Sequence, residues 1–303
     1  MKNYKNGLGD GSAFACCHPA VNLLFFLFAI GITMFSMSPA FLAVTLVFSW
    51  AYSILLSGKK AVRNNLIFTI PILVVMTVIN TFFTHNGATV LFFLNNNRIT
   101  LEALLYGLAA AVLLSAIIVW FSCFNVIMSA DKLIYFFGRI APVLGLTLSM
   151  IFRFIPLLKS RYREINMGQR CMRRHATGGF LSKLRQTAKE ISILISWSLE
   201  AAIETSDSME ARGYGLPGRT SFHLFKLSPA DKILLMIMGT CGIIAAAGCA
   251  MGKTTVYFYP TVVLEKWDVL TAVTFAAYTV LLAVPLIVDI MGEIKWHQYR
   301  LKI

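Results

Sequence analysis

Residues 103–128 read ALLYGLAAAVLLSAIIVWFSCFNVIM, twenty-six residues without a charge. As a helix rising about 1.5 Å per residue, this run exceeds the roughly 30 Å of hydrocarbon in a bilayer. Working outward, residues 21–35, 39–57, 66–83, 233–251 and 269–290 form five more runs of the same kind, charged only at Asp289. The run at 21–35 is short and can merge with the next into a hairpin through 36–39. A seventh apolar stretch, 133–158, is interrupted by Arg139, Pro142, Arg153 and Pro156. It reads as an interfacial or broken helix, because an arginine at mid-membrane costs at least about 2.5 kcal/mol. The pattern predicts an all-α, polytopic membrane protein with about six transmembrane helices.

Composition agrees. Of 303 residues, 57% are hydrophobic and 14% charged, with a mean hydropathy of +0.71. A soluble domain carries roughly a quarter charged residues. The net charge of +13 invites a nucleic-acid reading, but the basic residues sit in connecting segments on one side of the spans. With the amino terminus inside, the outer segments 36–38, 84–102 and 252–268 hold only Arg98, Lys253 and Lys266 of the 27 lysines and arginines. That asymmetry places both termini in the cytoplasm. It leaves lipid head groups, not nucleic acid, as the anionic surface nearby. No cleavable leader is evident before the first run.

The region from 159 to 231 is too long for a simple connection and divides the chain into 1–158, 159–231 and 232–303. Residues 158–174 read as a basic helix. The sequence ATGG at 176–179 stops it, and Ser182 is placed to cap a second helix running to Arg212. Along that helix Ile191, Leu194, Ile195, Leu199, Ala202, Ile203, Ser206 and Met209 fall mostly at three- and four-residue steps. Glu200, Glu204 and Asp207 lie beside this stripe, and Gly213, Gly215 and Pro217 end the helix. Two cytoplasmic helices are expected, packing on each other or on a partner.

At 208–215 the sequence is SMEARGYG, preceded by LEAAIETSD. Glu210, Ala211, Arg212 and Gly213 resemble the second signature of the transmembrane T component (EcfT/CbiQ-like family) of energy-coupling factor transporters. His18–Pro19 with Val21-Asn22-Leu23-Leu24 is similar to the start of that family's first span. Arg153-Phe154-Ile155-Pro156 is similar to the segment leading into its first coupling helix. The first signature, usually Gln-x-x-Arg-Gly, is represented by Gln169, Arg170 and Arg173 without the glycine, and either arginine fits the role. The resemblance implies two cytoplasmic coupling helices whose tips dock two ABC ATPase subunits. It also implies a separate small membrane subunit that binds a vitamin or metal ion, in a prokaryotic cell membrane. Within this reading Ile191, Leu194, Leu199, Ala202 and Met209 are the coupling-helix packing residues.

The chemistry of the tip stands on its own. An arginine at a helix end presents a planar fork that pairs bidentately with a carboxylate. The following glycine lets the backbone turn sharply and removes a side chain from the contact surface. The rival reading has Arg212 bonded to its own helix's last carbonyls. Elsewhere, the six cysteines lack CxxC spacing and the five histidines lack zinc spacing, so no metal or cofactor is expected. Arg139 and Arg153 read as interfacial anchors, the acidic trio as partners of nearby bases, and Asp289 as needing no special role. Phe92–Phe93 and Tyr257–Tyr259 read as an outer aromatic belt. No phosphate loop of the form GxxxxGK(S/T) is present, so ATP hydrolysis is assigned to partners and the chain to a non-catalytic role. The alternative is a conventional carrier binding substrate within its own spans. That class needs polar or broken mid-membrane helices.

Overall fold

Proline opens four of the helices, at Pro19, Pro39, Pro142 and Pro229, where its missing N–H is no loss and its fixed φ suits the first turn. The computed structural model describes residues 12–84, 87–94, 97–172, 179–216, 225, 227–260, 262–263 and 268–301. Its elements in chain order are α1 (Ala13–Cys16), α2 (Pro19–Phe35), α3 (Pro39–Ser57), α4 (Lys59–Phe83), β1 (Val90–Leu94), β2 (Asn97–Thr100), α5 (Leu101–Ile127), α6 (Ala130–Ile140), α7 (Pro142–Cys171), α8 (Phe180–Ala211), α9 (Pro229–Ala250) and α10 (Val269–Leu301). The all-α polytopic class is observed. The described strands form a single antiparallel hairpin, pairing Leu94 with Asn97 and Phe93 with Arg98.

Residues 1–129 and 225–303 form one compact unit. Its core is aromatic. Trp120 of α5 receives Phe25 and Phe26 of α2 nearly edge-on, with ring centroids 5.4 and 6.3 Å away. Such pairs contribute about 0.5–1.5 kcal/mol beyond area burial. The Tyr278 hydroxyl of α10 lies 2.8 Å from both Thr33 Oγ1 of α2 and Thr45 Oγ1 of α3, so one phenol ties three helices. In an apolar surrounding, polar side chains find each other because no water will serve them.

Two carboxylates hold the amino-terminal segment. Asp289 is 1% exposed, and its Oδ1 accepts from the Phe14 backbone N–H at 2.7 Å. This corrects the expectation that Asp289 has no special role. The run at 269–290 continues as one helix, which places Asp289 against α1, where an otherwise unpaired N–H at the helix start needs an acceptor. Asp231 closes a capping box with Ser228 at the start of α9 and also accepts from the His18 N–H at 3.3 Å.

Residues 130–224 form the second compact unit, of which α6, α7 and α8 are the described elements. The stretch 133–158 breaks once, at Ala141 between α6 and α7. Pro142 starts a new helix there, while Pro156 sits inside α7 without ending it. The elbow is tight: a Cβ on Gly145 would lie 2.3 Å from the Gly138 Cα. With the break at its start, α7 runs for 30 residues. By length and composition it joins α3, α4, α5, α9 and α10 as a candidate span, whereas α2 has 17 residues and is shorter than those six. The number six stands, but its membership differs from the sequence expectation. Arg153 is too isolated within α7 to lower the hydropathy of the whole window.

Candidate docking site

Helix α8 is 32 residues long and contains neither glycine nor proline. It ends in a defined stop. Arg212 occupies the C-cap, and Gly213 follows with φ +79°. The Gly213 N–H donates to the Glu210 carbonyl at 2.9 Å, and the Tyr214 N–H donates to the Met209 carbonyl at 3.0 Å. This is the pair of bonds of a Schellman motif, which demands a left-handed residue after the cap. A side chain on Gly213 would also crowd Leu216, whose Cδ1 lies 3.1 Å from the Cβ position. A second left-handed residue, Gly215 with φ +93°, carries the chain away from the helix axis.

The stop decides the fate of the arginine. Backbone donors already occupy the carbonyls of Ser208, Met209 and Glu210. Among the described residues, no ion pair or hydrogen bond engages the Arg212 guanidinium. Gly213 takes the C′ place that the rival reading also gives it, while the Arg212 side chain has no hydrogen bond or ion pair among the described residues. Glu210, Ala211 and Arg212 are all exposed. The tip presents a cationic fork with no partner among the described residues.

The first-signature residues lie at the end of α7. Gln169 is half-buried and Arg170 exposed in its last turn, while Arg173 lies outside the described residues. Helices α7 and α8 run antiparallel. Glu190, 2% exposed, accepts from Asn166 Nδ2 at 3.1 Å and from Gln186 Nε2 at 2.8 Å. Five residues back along α7, the Arg161 guanidinium lies 5.0 Å from the Trp197 ring centroid while pairing with Glu164 at 2.7 Å. Measured outward from that crossing at 1.5 Å per residue, Arg170 and Arg212 lie at opposite ends, roughly 35 Å apart along the pair.

The predicted packing stripe divides in two. Leu194 and Met209 are half-buried, on the face shared with Glu190, Trp197, Ala201 and Thr205. Ile191, Ile195, Leu199, Ala202 and Ile203 are exposed, Leu199 by 62% and Ile203 by 64%. Glu200, Glu204 and Asp207 are also exposed, and no acidic or Cys/His cluster able to hold a metal occurs among the described residues. Sequence reasoning missed the Glu190 knot and the Arg161–Trp197 stack. A lone acid between Lys189 and Ile191, with Gln186 one turn earlier, was the available signal.

Six described helices long and apolar enough to cross a bilayer define a multi-pass membrane protein. Residues 17–224 match the family described as CbiQ, cobalt transport protein, and the chain belongs to that family. Over 94 residues it is 34% identical to the energy-coupling factor transporter transmembrane protein EcfT of Lactobacillus helveticus (strain DPC 4571). That alignment covers 30% of this chain and spans about a third, 34%, of the relative.

Proposed function

We propose that this chain is the scaffold and coupling subunit of an energy-coupling factor importer, passing ATPase motion to a separate membrane subunit that captures a vitamin or metal ion. The observation that carries the reading is the Arg212 fork, exposed and unengaged on the Schellman-stopped end of a 32-residue helix. A rod with such a tip suits an acidic hollow on a soluble partner. Two tips at opposite ends of one antiparallel pair suit two ATPases, one at Arg212 and one at Gln169 and Arg170, with Arg173 as the other arginine for that role.

In this mechanism closure of the ATPase pair displaces both tips together, with the Asn166–Glu190 bond and the Arg161–Trp197 stack joining α7 to α8. The exposed stripe of Ile191, Leu199 and Ala202 then bears on the substrate-binding subunit, with Leu194 and Met209 securing the stripe from behind. Residues 159–231 are the coupling region, flanked by membrane parts 1–158 and 232–303. Both termini lie in the cytoplasm of a prokaryotic cell, and the subunit itself is non-catalytic.

The test is Arg212→Glu. Truncating one member of a buried, charge-paired contact costs on the order of 2–5 kcal/mol. Transport should therefore fall by roughly thirtyfold or more, the ATPases should no longer co-purify, and the chain should insert in the membrane as before. Full transport by this variant overturns the docking role.

A further inference from the structure

The α7–α8 pair is fastened at one end and open at the other. Beyond the Arg161–Trp197 stack a half-open cleft of about 900 Å3 lies between α7 and α8. This is the size of a ligand pocket, well above a packing defect. Its α7 wall is mostly apolar, with Leu146, Met150, Phe154 and Leu157 beside Ser149 and Arg153, and Met209 and Leu216 face it from the other side. Two arginines from different helices, Arg153 and Arg212, line the same cavity, together with a single acid, Glu204. All three are exposed, and no ion pair joins them among the described residues.

These features select an occupant. A free anion would satisfy the guanidiniums and leave the apolar wall wet. A purely apolar helix would cover the wall and strip two cations of water without a counter-charge. Two guanidiniums and one carboxylate leave a net charge of +1, which matches one phosphodiester. We propose that, while the Arg212 tip is free of any docked ATPase, this cleft holds an anionic phospholipid, its phosphate between Arg153 and Arg212 and an acyl chain along Met150, Phe154 and Leu157. The planar fork of arginine suits phosphate oxygens. Basic pockets beside membrane helices gather anionic headgroups, and α7 is apolar enough to lie in a membrane, so the lipid reaches the cleft without leaving the bilayer. Arg153 thereby gains a role distinct from a generic interfacial anchor.

Trp197 lines the same cavity and reports on its contents. The full chain and its Trp197→Phe variant are reconstituted in phosphatidylcholine vesicles, and the difference in their fluorescence isolates this residue from the other four tryptophans. Phosphatidylglycerol with brominated chains is titrated in, against brominated phosphatidylcholine as control. The expected result is quenching of Trp197 at a roughly fivefold lower mole fraction of the anionic lipid. Arg153→Gln, which leaves the Arg212 tip intact, should abolish that preference but keep chain quenching. Ala201→Phe, which fills the cavity, should abolish both. Equal quenching by the two lipids overturns the headgroup assignment. Absence of quenching by either overturns the lipid altogether and gives the cleft to protein or water.

Discussion

Helices α5 and α8 are of similar length, 27 and 32 residues, and the fold uses them in opposite ways. Helix α5 buries eleven residues, Trp120 and Cys123 among them, and its neighbours α2, α3 and α4 come from the same chain. Helix α8 buries one, and that one is a glutamate. Its leucines and isoleucines other than Leu194 are exposed. Single exposed apolar residues are unremarkable, but a file of them along one helix marks a surface that meets something else. Within the first unit α5 packs its apolar residues against its neighbours, while α4 leaves most of its own exposed, as α8 does in the second. The described polar contacts between α7 and α8 are a buried carboxylate that accepts from Asn166 and an arginine on an indole.

The sharpest attack on this contrast is Trp120→Ala. An emptied aromatic site costs about 3–5 kcal/mol, so thermal unfolding in detergent should shift to markedly lower temperature. A change near zero would show that α5 is not the keystone its burial implies. Next is Glu190→Ala, which strands the Asn166 and Gln186 amides. The expected loss is about 1–3 kcal/mol, confined to the second unit. It should be read as faster hydrogen exchange in residues 180–212 with the α5 amides unchanged. Gly213→Ala asks for a left-handed alanine, at about 1–2 kcal/mol, and should fray the last turn of α8 and weaken ATPase co-purification. The smallest stability effect is expected for Leu199→Ser, within about 0.5 kcal/mol. Transport by that variant should nevertheless fall, and if it is as destabilised as Trp120→Ala, the two helices are not opposites after all.

Much of the first unit was legible in the sequence because bilayer hydrocarbon imposes a rule on long segments: no charge over 26 residues at 103–128 leaves few alternatives. The stop after Arg212 was legible for a similar reason, since Gly213 is the residue that a left-handed position selects. The failures lay where long-range geometry decides. Arg153 and Pro156 argued against a continuous α7, yet the one charge and one proline in residues 143–158 were absorbed. The apolar stripe on α8 has a helical period, but period alone does not say which of two adjoining faces meets α7. Trp197 and Glu190 decide that, so Leu194 went inward and Leu199 outward. Asp289 looked idle because the N–H it serves belongs to Phe14, 275 positions earlier.

The elbow between α6 and α7 has a mechanical corollary. Gly138 and Gly145 already touch backbone to backbone, with no side-chain cushion left to compress. Bending that narrows the angle meets an incompressible stop, while bending that widens it meets none. Closing the elbow further therefore drives one backbone into the other, and a side chain at Gly145 would hold it wider.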